Sequence, residues 1–519
     1  MKPIAKYCSL LSMAIASVPV EAEPPNIIII YADDVGYGDL GCYGSTEIDT
    51  PSLDALARGG LRFTSAYSTS ATCTPSRYSL LTGEYAFRNQ GAVILPGNAP
   101  MIIDPESPTF PSLLKTRGYR TGLVGKWHIG LGKPGEPLDW NSRISPGPNE
   151  VGFDSAFYMA ATGDRVPSVY IENGHIVSLD PSDPVTVNYE ERIGDDPTGI
   201  THPELLKTQA DEQHASTIVD GTSRIGWMKG GHSARWIDEE MPDIFLNKAI
   251  EFVETNRDQP FFLYYAVHEN HVPRIPHPRF RGSTSLGLRG DAVVQMDWGI
   301  GRLVETLAEN DLLEKTLIIF SSDNGPVLFD GYYDGAREKN GDHKPAGPWR
   351  GGKYSAWEGG TRMPFIVSWP GRIEPGLSDA LISQVDLLAS LAALTGADIP
   401  EGEAVDSRNL VKTLLGQSDS GRDHLIQQGV NMTAIRKGSW KYLPQGQVLN
   451  RGRIGEFFSD TIPPSGALFY LPEDPGETNN LATVYPAKAR ELRDLLESEL
   501  GGENTRDRPV DELGGADGQ

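Results

Sequence analysis

The chain has 519 residues, 46 basic and 70 acidic, for a formal charge of −24, and 39% of its positions are hydrophobic. That apolar share excludes a disordered chain, and no uncharged apolar run of about 18 residues follows the N-terminus, which excludes a polytopic membrane protein. The acidic field argues against nucleic acid as a partner, because no Lys/Arg-rich face is present to neutralise phosphates.

At the N-terminus, Lys2 and Lys6 precede an apolar stretch over residues 7–20 and a small-residue site at Val20-Glu21-Ala22. Residues 1–22 are therefore expected to be an export signal, and the protein periplasmic or extracellular with no membrane span in its mature form. Cys8 lies at the start of the apolar run rather than after it, so a lipoprotein is not expected. Without the signal only Cys42 and Cys73 remain. One pair is too few for a disulfide framework in an oxidising compartment, which points to a reactive cysteine.

Residues 26–31 (Asn-Ile-Ile-Ile-Ile-Tyr) predict a strand buried on both faces, ending at Asp33-Asp34. Helical patterns follow at 52–58 and 112–117, then a strand at 121–125 ending in Lys126-Trp127-His128. The stretch 133–240, rich in Pro, Gly and Asp, predicts loops on a scaffold, where substrate selectivity resides. A helix at 243–256 leads to a strand at 261–267 ending at His268, and a helix at 291–307 to a strand at 316–321 ending at Asp323-Asn324. A further helix is expected at 384–395. This β-then-α alternation builds an α/β fold: a large, mostly parallel sheet flanked by helices, with its site outside the carboxyl ends of the strands. After Gly396 the pattern predicts a small α+β subdomain with an antiparallel sheet. It comprises a hairpin (424–430 and 432–443), a strand at 467–471 and a helix at 486–500 with Leu492, Leu495 and Leu496 on one face. Domain limits are expected at 23–396 and 397–500, with 501–519 a flexible tail.

Asp33-Asp34 and Asp323-Asn324, brought together at neighbouring strand ends, would repel without a cation. Their donors are oxygens with no adjacent His or thiolate, which favours Ca²⁺ or Mg²⁺ over zinc.

Thr72-Cys73-Thr74-Pro75-Ser76-Arg77 has the spacing C-x-P-x-R. With its surroundings it resembles the modification sequence of the type I, formylglycine-dependent sulfatases (arylsulfatase-like), in which the cysteine becomes formylglycine (3-oxoalanine), an aldehyde that hydrates to a gem-diol. The resemblance extends to residues 26–44, 122–130, 322–325, 351–370 and 468–481. It implies an alkaline-phosphatase-like fold, a formylglycine maturation enzyme as partner and one calcium ion held by Asp33, Asp34, Asp323, Asn324 and an oxygen of modified Cys73. It further implies that Arg77 and Lys126 orient the diol, that His128 is a base, and that His268 and Lys353 sit at the sulfate and leaving-group oxygen. One hydroxyl of the diol would attack sulfur, and loss of the other hydroxyl's proton would then expel sulfate.

Residues 161–174 and 230–240 are similar to segments of secreted bacterial polysaccharide sulfatases, which implies a sulfated carbohydrate substrate with Asp164, Arg165, His175 and His271 as hydroxyl or anion contacts. Two alternatives stay open. A phosphonate or phosphate monoester hydrolase of the same superfamily shares much of this pattern, although a two-zinc phosphatase needs a His beside Asp323-Asn324. A secreted glycan-binding protein without turnover would be marked by loss of Cys73, Lys126 or His128, and all three are present.

Overall fold

The computed structural model describes residues 24–451 and 457–501. Cys8, the expected signal at 1–22 and the expected tail beyond residue 501 lie outside the described residues.

The apolar runs become the middle of a ten-stranded sheet. In chain order its strands are β1 (Asn26–Ala32), β2 (Leu61–Phe63), β3 (Arg120–Lys126), β4 (Ser155–Met159), β5 (Ile171–Glu172), β6 (His175–Ile176), β7 (Phe261–Ala266), β8 (Thr316–Ser322), β9 (Phe365–Ser368) and β10 (Gly376–Ser378). Their spatial order is β10-β2-β9-β8-β1-β7-β3-β4-β5-β6. From β8 to β4 the neighbours run parallel, with Ile27 of β1 in register with Leu317 on one side and Phe262 on the other. β9 enters antiparallel between β8 and β2. β4 falls inside the stretch expected as loop. Its five residues carry no alternation of their own, and pairing with β3 makes them a strand.

Among the described residues, seven helices of six residues or more accompany the strands: α1 (Pro51–Gly59), α2 (Cys73–Thr82), α3 (Phe110–Lys115), α4 (Met241–Thr255), α5 (Leu288–Glu309), α6 (Leu387–Thr395) and α7 (Pro486–Glu499). Successive strand residues point to opposite faces. Ile27, Ile29, Leu123 and Tyr264 accordingly pack against α2, α3 and α6 through Leu80, Leu113, Leu114 and Leu388. Ile28, Ile30, Val124 and Leu263 pack against α1, α4 and α5 through Leu53, Phe245, Val253 and Leu303. Gly122 lets α4 approach the sheet, since a Cβ there would stand 2.4 Å from the Phe252 ring.

The C-terminal part contains β11 (His424–Gln428), β12 (Thr433–Lys437), β13 (Trp440–Leu443), β14 (Gly446–Arg451), β15 (Phe457–Ile462) and β16 (Ala467–Tyr470). β11-β12-β13-β16 form an antiparallel sheet and β14-β15 a separate hairpin. The single hairpin expected over 424–443 is thus three strands, because Gly438 at φ +55° turns the chain inside its second arm. Leu492 and Leu496 of α7 pack on Ile426, Ile435 and Leu468, with Leu495 partly buried beside them. Among the described residues no helix is long and apolar enough to cross a membrane.

Candidate active site

Five neighbouring parallel strands deliver polar side chains to one end of the sheet, as expected outside strand carboxyl ends. β1 leads to Asp33 and Asp34, β8 to Asp323 and Asn324, β3 to Lys126 and His128, β7 to His268 and His271, and β4 to Asp164; all are buried. Asp34 (φ +58°) and His128 (φ +56°) occupy the left-handed region just past their strands. Non-glycine residues rarely do so, and such strain concentrates at functional sites. Cys73 is the first residue of α2, behind the extended Thr72, and every residue of that helix is buried.

The carboxylates are clasped by cations. Arg77 places Nε and Nη2 at 3.0 and 2.8 Å from Asp323 Oδ2 and its guanidinium 5.3 Å from the Tyr31 ring centre. Lys126 Nζ donates to Asp33 Oδ2 at 2.7 Å. Lys353 Nζ reaches Asp34 Oδ2 at 2.9 Å, Asp330 Oδ2 at 3.0 Å and His271 Nε2 at 3.2 Å. Burial pushes the Asp33 carboxyl up to about 8 despite Lys126. Burial works the same way on Asp323, but Arg77 and Lys126 overcome it and hold Asp323 below the ordinary carboxylate range.

Among the four oxygen-bearing side chains expected at the metal, two have a buried oxygen without a hydrogen-bond partner: Asp33 Oδ1 and Asn324 Oδ1. Asn324 Nδ2 donates to Asp34 Oδ1 at 2.7 Å, which turns the amide oxygen away as an available donor atom. Ligand atoms of Asp33, Cys73 and Asp323 all lie within 4.8 Å of one another. A hard cation with oxygen ligands fits this set. Asp33, His268 and His271 also form a compact trio, but His271 Nε2 is already engaged by Lys353. The Cys73 thiol is pushed up by burial, against the lowering pull of Lys126 and Lys353. An unmodified thiol here is a poor source of thiolate.

Hydrogen bonds fix the histidine protons. His128 Nε2 lies 2.8 Å from the Leu95 carbonyl oxygen, which can only accept, so Nε2 carries the proton. Its Nδ1 lone pair is then buried without a partner. Burial, then Lys126 and Arg165, hold its pKa well below the ordinary 6.5. His268 Nε2 accepts the Gly163 N–H at 2.9 Å, which leaves the proton on Nδ1; burial and Lys126 push its pKa down to about 3. His271 donates from Nδ1 to the Val272 carbonyl at 2.7 Å.

Of the four residues expected as substrate contacts, Arg165 places Nη1 2.8 Å from both oxygens of Asp164. His175 is not brought to this cluster. It stands exposed on the sheet's outermost strand, in register with Glu172, because β5 and β6 extend the sheet sideways and not toward the strand ends.

Sequence reasoning missed several members. His214 bridges Asp164 (3.5 Å) and Asp211 (2.6 Å), and although burial works against its charge, those two carboxylates raise its pKa. Asn270 donates to the Asp34 carbonyl at 2.8 Å, and its position between His268 and His271 was a usable signal. Tyr354, held at φ +78°, puts its hydroxyl 2.8 Å from both oxygens of Asp330. Asp330 sits in a loop without periodic signal.

Donor oxygens and cations gathered at one end of a largely parallel sheet make this a hydrolase built for an anionic ester. The family model described as Sulfatase matches residues 25–397, and the chain belongs to the sulfatase family, the sulfuric ester hydrolases. It is 50% identical over 483 residues to the N-acetylgalactosamine-6-O-sulfatase of Bacteroides thetaiotaomicron, covering 92% of this chain and 93% of that one. Human arylsulfatase A is 33% identical over 515 residues, covering 94% and 91%. A solved Bacteroides thetaiotaomicron structure, described under the metabolism of multiple glycosaminoglycans, superposes with TM-score 0.90 at 49% identity, covering 92% of this chain and all of that one.

Proposed function

We propose that this sulfatase removes a sulfate ester from a sulfated carbohydrate, with Cys73 converted to formylglycine and calcium held by Asp33, Asp34, Asp323 and Asn324. The observation that carries this reading is the placement of Cys73: buried at the head of α2, its sulfur within 4.8 Å of ligand oxygens of Asp33 and Asp323. Half-identity to a protein named N-acetylgalactosamine-6-O-sulfatase supports an amino-sugar 6-sulfate as the substrate.

Bound there, calcium supplies positive charge against the sulfate oxygens. Formylglycine supplies a hydrated aldehyde as nucleophile. Arg77 and Lys126 bind and orient the group at position 73. His128 Nδ1, with its unpartnered lone pair, takes the proton that the hydrated group must lose. Lys353 Nζ is the cationic donor for the departing alcohol oxygen; His268, with its pKa at about 3, supplies a proton there only where the bound anionic ester raises that pKa, and otherwise hydrogen-bonds the oxygen through its Nδ1–H. Asp164, Arg165 and His271, joined by His214, contact sugar hydroxyls or anions; His175 is left out of this set. The division at 23–396 and 397–500, export under a signal at 1–22 and a formylglycine maturation enzyme as partner belong to the same reading.

Peptide mass mapping over Cys73, combined with desulfation of a panel of sulfated sugars, tests it. Formylglycine at position 73 and release of sulfate from N-acetylgalactosamine 6-sulfate are expected. Fully active protein with unmodified Cys73 would overturn the mechanism, and release only from other sugars would overturn the substrate. Asp323→Ala should lose both bound calcium and activity with the fold retained. Stoichiometric zinc in active native protein would contradict calcium.

A further inference from the structure

Glu358 has no exposed side-chain surface, yet its carboxylate is gripped from five directions. Tyr67 Oη and Arg362 Nη1 donate to Oε2 at 2.5 and 3.1 Å, and Gln427 Nε2 donates to Oε1 at 2.9 Å. Lys441 Nζ stands 3.3 Å from Oε1 and Arg436 Nη1 3.8 Å from Oε2. Lys441, equally buried, is shared with Glu477 at 2.8 Å, and Glu477 Oε2 accepts the Glu358 backbone N–H at 2.7 Å. Gln427, Arg436 and Lys441 come from β11, β12 and β13, whereas Glu358 and Arg362 follow Lys353 in the chain. Desolvating this many charges is costly, and apolar side chains of similar volume often stabilise as well or better. Stability alone is therefore a weak reason for the cluster.

What the cluster grips is the frame of the active site. The turn Glu358–Thr361 accepts the Gly325 N–H at the Gly360 carbonyl (2.9 Å), immediately after Asn324. It accepts the Ser68 N–H at the Thr361 carbonyl (2.8 Å), on the way to Cys73. Tyr354, next to Lys353, donates its N–H to the Ala71 carbonyl at 2.8 Å and accepts the Val430 N–H at 2.9 Å. β11 adds a parallel bridge between Gln428 and Ser70, in which Gln428 donates its N–H to the Thr69 carbonyl at 3.0 Å and accepts the Ala71 N–H at 2.8 Å. One sheet is thus fastened to the segments that carry Cys73, Lys353 and Asn324.

We infer that Glu358, Gln427 and Lys441 are positioning residues: through this buried cluster the C-terminal sheet sets Lys353 and Asn324 in place against Cys73. The inference rests on the sulfatase reading of those three residues. Glu358→Gln, Lys441→Met and Gln427→Met are made in the full chain and assayed on nitrophenyl sulfate well below each variant's Tm, with kcat normalised to the formylglycine-bearing fraction. Small displacements of catalytic groups cost up to roughly 10²-fold, so kcat should fall by about that factor while KM changes little. Calcium affinity, titrated with the metal alone, should weaken by roughly 10–100-fold, the range for residues that orient ligands. Folded variants with a lowered Tm but unchanged kcat and calcium affinity would overturn the inference, leaving the cluster purely structural. If Glu358→Gln does not fold, Gln427→Met, which alters no charge, decides on the same criteria. A wild-type protein inactive on sulfate esters, whose variants still bind calcium more weakly, overturns the sulfatase reading and supports the positioning role.

Discussion

His128 shows how one side chain's chemistry is set by its surroundings. The Leu95 carbonyl fixes its proton on Nε2, and burial with Lys126 and Arg165 keeps the ring neutral. A lowered pKa means that the basic form persists as pH falls, so the acid-side loss of kcat should lie below pH 6.5, the ordinary imidazole value. An inflection at or above 6.5 in a kcat–pH profile would exclude His128 as that base. His128→Ala should release a burst of alcohol and then stall, read by rapid-quench kinetics. His268 and Lys353 divide on a different measurement. A proton donor to the leaving oxygen contributes about 10²–10⁴-fold when the alcohol is a poor leaving group. His268→Ala should lose about that factor on a sugar sulfate and far less on nitrophenyl sulfate, whose phenolate leaves unaided. Equal losses on both substrates for His268→Ala and Lys353→Ala alike would make both residues sulfate binders only.

Among the elements, α2 and the turn after β8 bear most directly on the site. α2 has no apolar stripe because all its residues are buried: Leu80 and Leu81 enter the core while Arg77 turns to Asp323. After β8 the chain passes Asn324 and meets the Glu358–Thr361 turn backbone to backbone. A Cβ on Gly325 would stand 1.9 Å from the Gly359 carbonyl oxygen, with no flexible side chain to yield. Gly325→Ala should therefore cost about 1–3 kcal/mol in denaturant unfolding. It should also weaken calcium binding, because Asn324 must move with its neighbour. Unchanged stability and metal affinity would show that the two turns separate freely.

For the whole molecule, charge sets how a polyanion approaches. A formal charge of −24 repels a sulfated polymer at long range. Screening shortens from about 30 Å at 0.01 M salt to about 8 Å at 0.15 M. KM for a multiply sulfated oligosaccharide should accordingly fall as salt rises over that range, with kcat steady, while KM for a singly sulfated monosaccharide changes much less. The opposite trend would place a basic approach surface on the protein that outweighs its net charge.

The central strands were legible because a strand buried on both faces must be apolar throughout, as Ile27–Ile30 and Leu317–Phe320 are, and the polar residues that follow must fall at the strand's carboxyl end. The spacing around Cys73 was equally readable, being local. β4 and β9 were not, since each is too short to carry a pattern and is a strand only because a neighbour's backbone pairs with it. α2 escaped because a helix buried on all sides has no amphipathic period. Of the side chains at the site, most of those singled out stand at a strand end or in a motif, although Asn270 after β7 and Tyr354 in the 351–370 stretch escaped. Asp330 and His214 escaped as well, because loops far apart in sequence bring them to Lys353 and Asp164; Tyr354, beside Lys353 in the chain, was missed because its place in the site comes from a hydrogen bond to the distant Asp330. His175 illustrates the converse: it directly follows a segment, 161–174, that resembled a family stretch, and the lateral extension of the sheet carried it to an exposed edge. The sequence by itself determined the strand core, the polar residues at the strand ends and the spacing around Cys73, all properties of contiguous residues. Which cations neutralise which carboxylates, and that the C-terminal sheet fastens the Cys73 and Lys353 segments together, only the tertiary structure decided, because Coulomb interactions and hydrogen bonds depend on distance in space and not on separation along the chain.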